Sequence, residues 1–421
     1  MRARSTLGLL VLGALVTVSC GSSKSNTAAS TTAAGQPSAT TGALSAATTG
    51  APSANTGATT CSGGDIVVGE ARAETGDFAF FDVASANGNQ LAFDQFNANG
   101  GLLGCKITVV HGDTKGDPAL GGRVAQDLLG NKGIKFLFSP SDFDVGIGAA
   151  QAGEKAGVMG TSEASAVKMP DAVGPHFFAA GITEEGLGLS QAAFANEKGW
   201  KNAYVVTNEQ FSFFTNIEGF FKGKYTGKIV ARDVVADTAT DYSAVVSKIR
   251  DASPKPDLIY LNDYFPHVGT FIKQLRDAGI DTAVLGNNSY SSLDLPGVIG
   301  KDRMSQVYYA APVFWEGTKL DPDVADVLAK YKAKFGKAPD NNNFMEGYDS
   351  AFLMLNAAKA AGSTDADAVA KEMNAQANVK LPGAVLTKWV DRHTQRTLVI
   401  VGFDSSGQFI QVKAPFDPQA S

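Results

Sequence analysis

FDQFNANGGLLGCKITVVHGDTKGDPALGGRVAQDLL, residues 93–129, runs a helix end, a strand and a helix start together without a gap. Asn97 opens an N-x-x-G-G pattern in which Gly100 and Gly101 let the chain leave a helix in conformations costly for other residues. The apolar run 107–110 then reads as a strand. Asp113 and Asp117 frame an acidic D-x-x-x-D-P loop. Asp117 is a good N-cap, and Pro118 behind it suits the first position of the next helix. Helix, strand and helix in this order make one unit of an α/β protein.

The unit repeats outward from there. Strand-length apolar runs occur at 66–69, 107–110, 134–138, 203–207, 229–235, 258–261 and 283–285. Amphipathic stretches separate them: Val268, Phe271, Ile272 and Leu275 recur at helical spacing, as do Val324, Val327, Leu328, Tyr331 and Phe335. Such stripes pack cores and carry no chemistry. Strands alternating with helices predict parallel sheets built from βαβ crossovers. The Gly- and Ala-rich stretch 144–157 predicts a smooth helix lying close to a sheet. Its Gly146, Gly148 and Gly153 miss the G-x-G-x-x-G spacing of a nucleotide site.

The N-terminal side reads differently. Arg2 and Arg4 precede an apolar run at 7–18, then Ser19 and Cys20, which is the plan of a signal peptide. That run is shorter than the roughly twenty residues a permanent membrane helix needs. TVSCG resembles a lipobox, with Thr17 where Leu is usual, so residues 1–20 predict a lipoprotein signal with Cys20 as the acylated residue. Two acyl chains on one cysteine anchor a protein stably. Residues 21–60 are almost entirely Ser, Thr, Ala and Gly, with Lys24 as the one charge, too poor in apolar surface to fold. They predict a tether reaching about 35 Å as a random coil. Cys61 and Cys105 remain, and in an oxidising compartment two leftover thiols pair. If the strands behind them are parallel neighbours, that bridge adds about 4 kcal/mol by chain-entropy reasoning.

The net charge of −6, with no basic stripe, argues against a nucleic-acid partner. About 350 residues follow the tether, enough for two lobes with separate cores.

Residues 93–129 resemble the opening of the type I periplasmic binding proteins that serve branched-chain amino acid importers. Weaker similarity continues to about Phe403, through KGIKFLFSPSD, GVMGTSEASA, DLIYLNDYFPHVGTFIKQLRDAGI and NNNFMEGYDSAFLMLNAAKAAG. The resemblance implies two Rossmann-like lobes joined by three crossovers: lobe one at 65–180 plus 310–381, lobe two at 181–309 plus 382–417. It implies a ligand in the cleft between them, at the carboxyl ends of the strands, and lobe closure that an ABC permease recognises. The expected protein is a monomer, needs no cofactor or metal, and is lipid-anchored outside the cytoplasm.

Carried over residue by residue, the resemblance implies a site. In SPSDFD, Phe143 stands where amino-acid-binding relatives have a serine for the ligand carboxylate; Ser141 and Asp142 compete for that role and for capping the next helix. In GTSEAS, Ser162, Ala164 and Ser165 are the candidates for holding the ligand's backbone part, with Glu163 facing either cleft or solvent. Phe211 takes the place of a common tyrosine, Tyr264 occupies another contact position, and Asn288 replaces the glutamate that pairs with a ligand ammonium. Losing a hydrogen bond to a charged group costs roughly 1.5–3 kcal/mol. An α-amino acid would therefore bind ten- to a hundredfold more weakly unless Asp142, Glu163 or Asp263 restores the charge. Phe78, Phe213, Phe265 and Tyr290 are further aromatic neighbours, the first three better explained as core. A pocket gaining aromatic surface favours a flat or apolar solute, and the expected ligand is an apolar or aromatic carboxylate or an amide rather than a standard amino acid.

Three other readings compete. A branched-chain or other amino acid binder shares every feature but the changed positions. A ligand sensor of the same fold would signal without transport. A secreted α/β hydrolase shares the alternating pattern, but the sequence has no G-x-S-x-G, H-E-x-x-H or P-loop. The four histidines, His111, His176, His267 and His393, are scattered without metal-ligand spacing.

Overall fold

The computed structural model describes residues 64–420 apart from Lys132. The expected signal peptide, Cys20, the tether and Cys61 all lie outside the described residues. Cys105 sits half-buried at the end of a tight turn, where Leu102 N–H donates to its carbonyl at 2.9 Å. Gly101 makes that turn possible, with φ at +77° and the place of a Cβ 2.0 Å from the Cys105 carbonyl.

The first lobe opens with β1 (Ile66–Arg72), α1 (Ala79–Ala98), β2 (Ile107–Asp113), α2 (Pro118–Asn131), β3 (Ile134–Phe138), α3 (Phe143–Lys155), β4 (Met159–Ser162), α4 (Met169–Val173) and β5 (Phe177–Ala179). The chain then crosses and builds α5 (Glu184–Lys198), β6 (Asn202–Asn208), α6 (Ser212–Lys224), β7 (Lys228–Val235), α7 (Ser243–Asp251), β8 (Leu258–Asn262), α8 (His267–Asp277), β9 (Ala283–Gly286), α9 (Leu295–Ile299) and β10 (Val307–Ala311). It returns for α10 (Pro322–Phe335), α11 (Asn343–Ala361), α12 (Ala366–Ala375), β11 (Ala377–Leu381), β12 (Ala384–Val390) and β13 (His393–Arg396), and crosses a last time into β14 (Leu398–Phe403) and β15 (Phe409–Phe416).

Two sheets result, ordered β11-β12-β13-β5-β4-β3-β1-β2 and β15-β14-β10-β9-β8-β6-β7. Strands β1 to β5 pair in parallel, as do β6 to β10, while the late strands β11, β12, β14 and β15 pair antiparallel. The expected α/β class, with two lobes and three crossovers, is what the chain forms. The third crossover falls between Arg396 and Leu398 rather than after 381. The tight turn at Pro382 and Gly383 folds β12 back onto β11, so β12 and β13 stay in the first sheet.

Helix packing fixes where the cleft's side chains stand. The α3 stretch is as smooth as its composition predicts: a Cβ on Gly153 would lie 2.8 Å from Leu137 of β3. Helices α1 and α11 touch backbone to backbone, since a Cβ on Gly88 would sit 1.9 Å from the Phe344 carbonyl and one on Gly347 2.1 Å from that of Ser85. That contact brings the first turns of both helices, with Asp82 and Glu346, to the edge of the sheet where the strands end.

Candidate functional site

A cleft of ≈ 590 Å³, counted out to its mouth, opens between the carboxyl ends of the two sheets. Seven of the nine expected ligand contacts line it: Ser141, Asp142, Phe143, Ser165, Phe211, Tyr264 and Asn288. Ser162 and Ala164 do not. The Ser162 hydroxyl donates to the Pro140 carbonyl at 2.6 Å and accepts from Ala164 N–H at 3.0 Å, so it ties two loops together. Ala164 is buried against Ala150 and Met169.

The first lobe's wall is ionic and wired from behind. Arg72 closes β1 with only 1% of its surface exposed and grips Glu163 with two hydrogen bonds, of 2.6 and 3.0 Å. Its guanidinium also lies 3.9 Å from Asp82. Burial opposes the charge of Arg72, but Glu163, Asp82 and Glu70 together hold its pKa above the usual value. Asp82 accepts from Ala73 N–H at 2.7 Å and from both the backbone and the hydroxyl of Ser141, at 2.9 and 2.7 Å. Asp142 caps α3, accepting from Asp144 N–H at 2.7 Å. Burial, then the neighbouring Asp144, pushes the Asp142 carboxyl up to about 7. The capping expectation for Asp142 therefore holds, and Ser141 spends its proton on Asp82.

The second lobe's wall is aromatic. Phe211, Phe213 and Phe214 begin α6, and Tyr264 follows β8. Tyr264 lies parallel to Phe214, ring centroids 6.1 Å apart, and its hydroxyl donates to Asp237 at 2.8 Å. Phe78 and Phe81 reach over from the first lobe, 5.8 Å from Phe211 and 6.0 Å from Tyr264 respectively. Phe78 and Phe213 thus belong to the cleft, where their sequence context suggested core. Phe265 and Tyr290 pack into the second lobe, the Tyr290 hydroxyl donating to the Leu261 carbonyl at 2.8 Å.

Two acids that sequence reading missed complete the site. Glu346, in the first turn of α11, accepts from Ile182 N–H at 2.9 Å and from Asn342 Nδ2 at 3.2 Å. Burial pushes its carboxyl up to about 7, against the Ile182 bond and the Arg396 charge and with help from Glu163 and Asp349. Asn288 reaches it across the cleft, its Nδ2 donating to Glu346 Oε1 at 3.4 Å, while its Oδ1 is buried with no partner. Glu184, at the head of α5, accepts from Asn216 at 3.1 Å, and burial pushes it up to about 8. An acid from the opposite lobe thus stands beside Asn288. Asp263 does not supply it; that carboxylate is buried and turned to Asn208 and the Tyr264 N–H.

A second contact joins the lobes at the cleft's rim. Helix α6 has no side-chain cap of its own, and Asp144 of α3 accepts from Ser212 N–H at 2.9 Å, capping it from the other lobe. A second depression shares Phe78, Phe81, Phe211 and Tyr264 with the cleft and is bordered by Asp77, Asp144, Asp237 and Lys115. Three of the histidines each face carboxylates at separate places, His111 with Glu70, His176 with Glu154 and Asp367, and His267 with Asp263, its ring behind Tyr264.

Two α/β lobes with a lined cleft between their strand ends define a solute-binding protein. The family model described as periplasmic binding protein matches residues 65–408, and the chain belongs to that family. It is 24% identical over 362 residues to Leu/Ile/Val-binding protein homolog 1 of Brucella melitensis, covering 77% of this chain and 90% of that one. The branched-chain amino acid transporter substrate binding protein LivJ of Streptococcus pneumoniae, solved with isoleucine, superposes with a TM-score of 0.73 at 23% identity, over 83% of this chain and 99% of that. A solute binding protein of an R. palustris ABC transporter, solved with benzoate, gives 0.70 at 16% identity, over 84% and 97%. Proteins of this family work outside the cytoplasm, binding a small molecule for an ABC permease. Among the described residues no helix is long and apolar enough to cross a membrane.

Proposed function

We propose that the protein is a lipid-anchored importer receptor that captures a small solute with an apolar or aromatic body and hands it to an ABC permease, without chemistry of its own. The aromatic lining carries this reading: Phe78, Phe81, Phe211, Phe214 and Tyr264 converge on one cleft from both lobes. An apolar body buried among such rings gains about 25 cal/mol per Å² removed from water, plus the aromatic contacts themselves. The solute orients through hydrogen-bond donors of its own. The expected carboxylate on that body fits poorly, because Asp142, Glu163, Glu184 and Glu346 face it and no lysine or arginine is among the described residues lining the cleft.

Mass spectrometry of small molecules released from the protein as purified from its native host tests the reading. A bound solute is expected, together with a diacylglyceryl mass on Cys20 and a Cys61–Cys105 bridge. Failure to carry any small molecule, with no compaction by X-ray scattering across a metabolite library, would overturn it.

A further inference from the structure

We propose that the solute is a small organic cation, a protonated amine on an apolar or aromatic body, carrying no carboxylate. The inference rests on the reading of the cleft as the solute site and names the polar end of what fills it.

The seat a carboxylate would need is already taken. In this fold an anion is best received by the exposed N–H groups at the start of a helix and by nearby hydroxyls. Here the start of α3 is filled by the protein's own Asp142, whose carboxyl accepts from Asp144 N–H at 2.7 Å. The Ser141 hydroxyl beside it is committed to Asp82 at 2.7 Å. A ligand carboxylate would displace one internal anion or lie against it.

The charge around the cleft is short of cations. Arg72 stands against Glu70, Asp82 and Glu163. Arg396 stands against Asp349 at 2.8 Å and also faces Glu346. Lys168 is the cation acting on Glu184, opposed there by Asp142 and Asp144. Buried carboxylates are costly unless each is paired, and the carboxyls of Asp142, Glu184 and Glu346 respond by holding their protons toward neutral pH. An arriving ammonium is the missing partner.

The hydrogen-bond inventory agrees independently. Asn288 is 7% exposed, gives its Nδ2 to Glu346 and leaves Oδ1 without a donor on the cleft wall. A carboxylate brings no hydrogen to that oxygen, whereas an ammonium brings three. The ring faces of Phe81, Phe211 and Tyr264 add a surface that attracts cations.

Calorimetry on the purified protein with matched probes tests this: benzylamine, benzamide and benzoate; isoamylamine, isovaleramide and isovalerate; L-phenylalanine and L-leucine. Each amine is expected to bind at least tenfold more tightly than its amide and carboxylate partners and than the amino acid. Amine affinity should rise about tenfold or more from pH 6 to pH 8, because Glu346 and Glu184 must shed protons to pair with a group that stays protonated throughout. Glu346→Gln should remove the Glu346 share of that rise, leaving the share of Glu184, and weaken the amine at least tenfold. A carboxylate, amide or amino acid binding better than its amine, no amine binding at all, or an amine affinity that is flat or falling with pH overturns the proposal. The pH series uses the unaltered protein and so stands even if the variant misfolds. A carboxylate or amide that binds well leaves the receptor reading intact, since a solute still fills the cleft.

Discussion

The two walls of the cleft solve opposite problems. On the first lobe, Arg72, Asp82, Glu163 and Ser141 are bonded to one another, and Asp142 to the Asp144 N–H, before any solute arrives. On the second, Phe211, Phe214 and Tyr264 offer ring surface, and Asn288 offers an oxygen with nothing to accept. One wall holds the protein together; the other is unfinished until something binds. Stability should therefore depend on the Arg72 network, and affinity on the ring wall together with Glu346, the first-lobe acid that Asn288 meets.

The largest effect expected is at Arg72. Arg72→Met strands buried carboxylates, and breaking a buried pair costs about 3–5 kcal/mol, read as a fall in urea midpoint with an unchanged m-value. A loss below 1 kcal/mol would mean the ionic wall carries no stability. Next comes pH. The carboxyls of Asp142, Glu184 and Glu346 have pKa values raised in the folded protein above 3.8 and 4.5, so the folded state binds more protons than the unfolded between about pH 4 and pH 8. Their contribution is fully present at low pH and is lost as pH rises through about 7–8. Without solute the thermal midpoint should fall by about 5 °C or more from pH 5 to pH 8, a slope that Glu346→Gln flattens and a tightly bound amine reverses. Smaller still, Asp144→Ala removes the cap that α6 borrows, costing the closed form about 1 kcal/mol and weakening solute binding roughly fivefold. Smallest in stability is Phe211→Ala, about 0.5 kcal/mol for a half-buried ring, although it should weaken solute binding about tenfold. If Phe211→Ala destabilises more than Arg72→Met, the contrast between the walls is wrong.

Much of the fold is legible in the sequence. The strands at 66–69 and 134–138 announce themselves because their apolar runs are largely buried, and the half-buried edge strand at 107–110 does so because its run is apolar too. The third crossover was not legible: 384–390 looks like any other strand, and only the turn at 382–383 decides which sheet receives it. In the cleft, Ser141, Asp142, Phe143, Phe211, Tyr264 and Asn288 were legible only through the resemblance, which carries them over one by one onto loops that follow strands. Ser162 misleads because a hydroxyl's partner cannot be read from its neighbours in sequence; here the partner is a backbone carbonyl on another loop. Glu346 was missed because it lies far along the chain from Asn288. It did leave a trace, since Glu346 and Asp349 sit one turn apart in the helix NFMEGYDSAF, whose residues are otherwise mostly apolar and are buried on every side. Glu70 and Arg72 leave a similar trace as two charges on one face of a buried strand. Charges in positions that should be greasy are the sequence's sign of a buried network.

The bolt between Asp144 and Ser212 N–H has a further consequence. A helix that borrows its first hydrogen bond from another lobe is complete only while the lobes face each other, so its leading amide keeps a tally of how often they part. Deuterium uptake at that one position, followed in the intact cell envelope, would count occupied receptors without a label and without knowing what they carry.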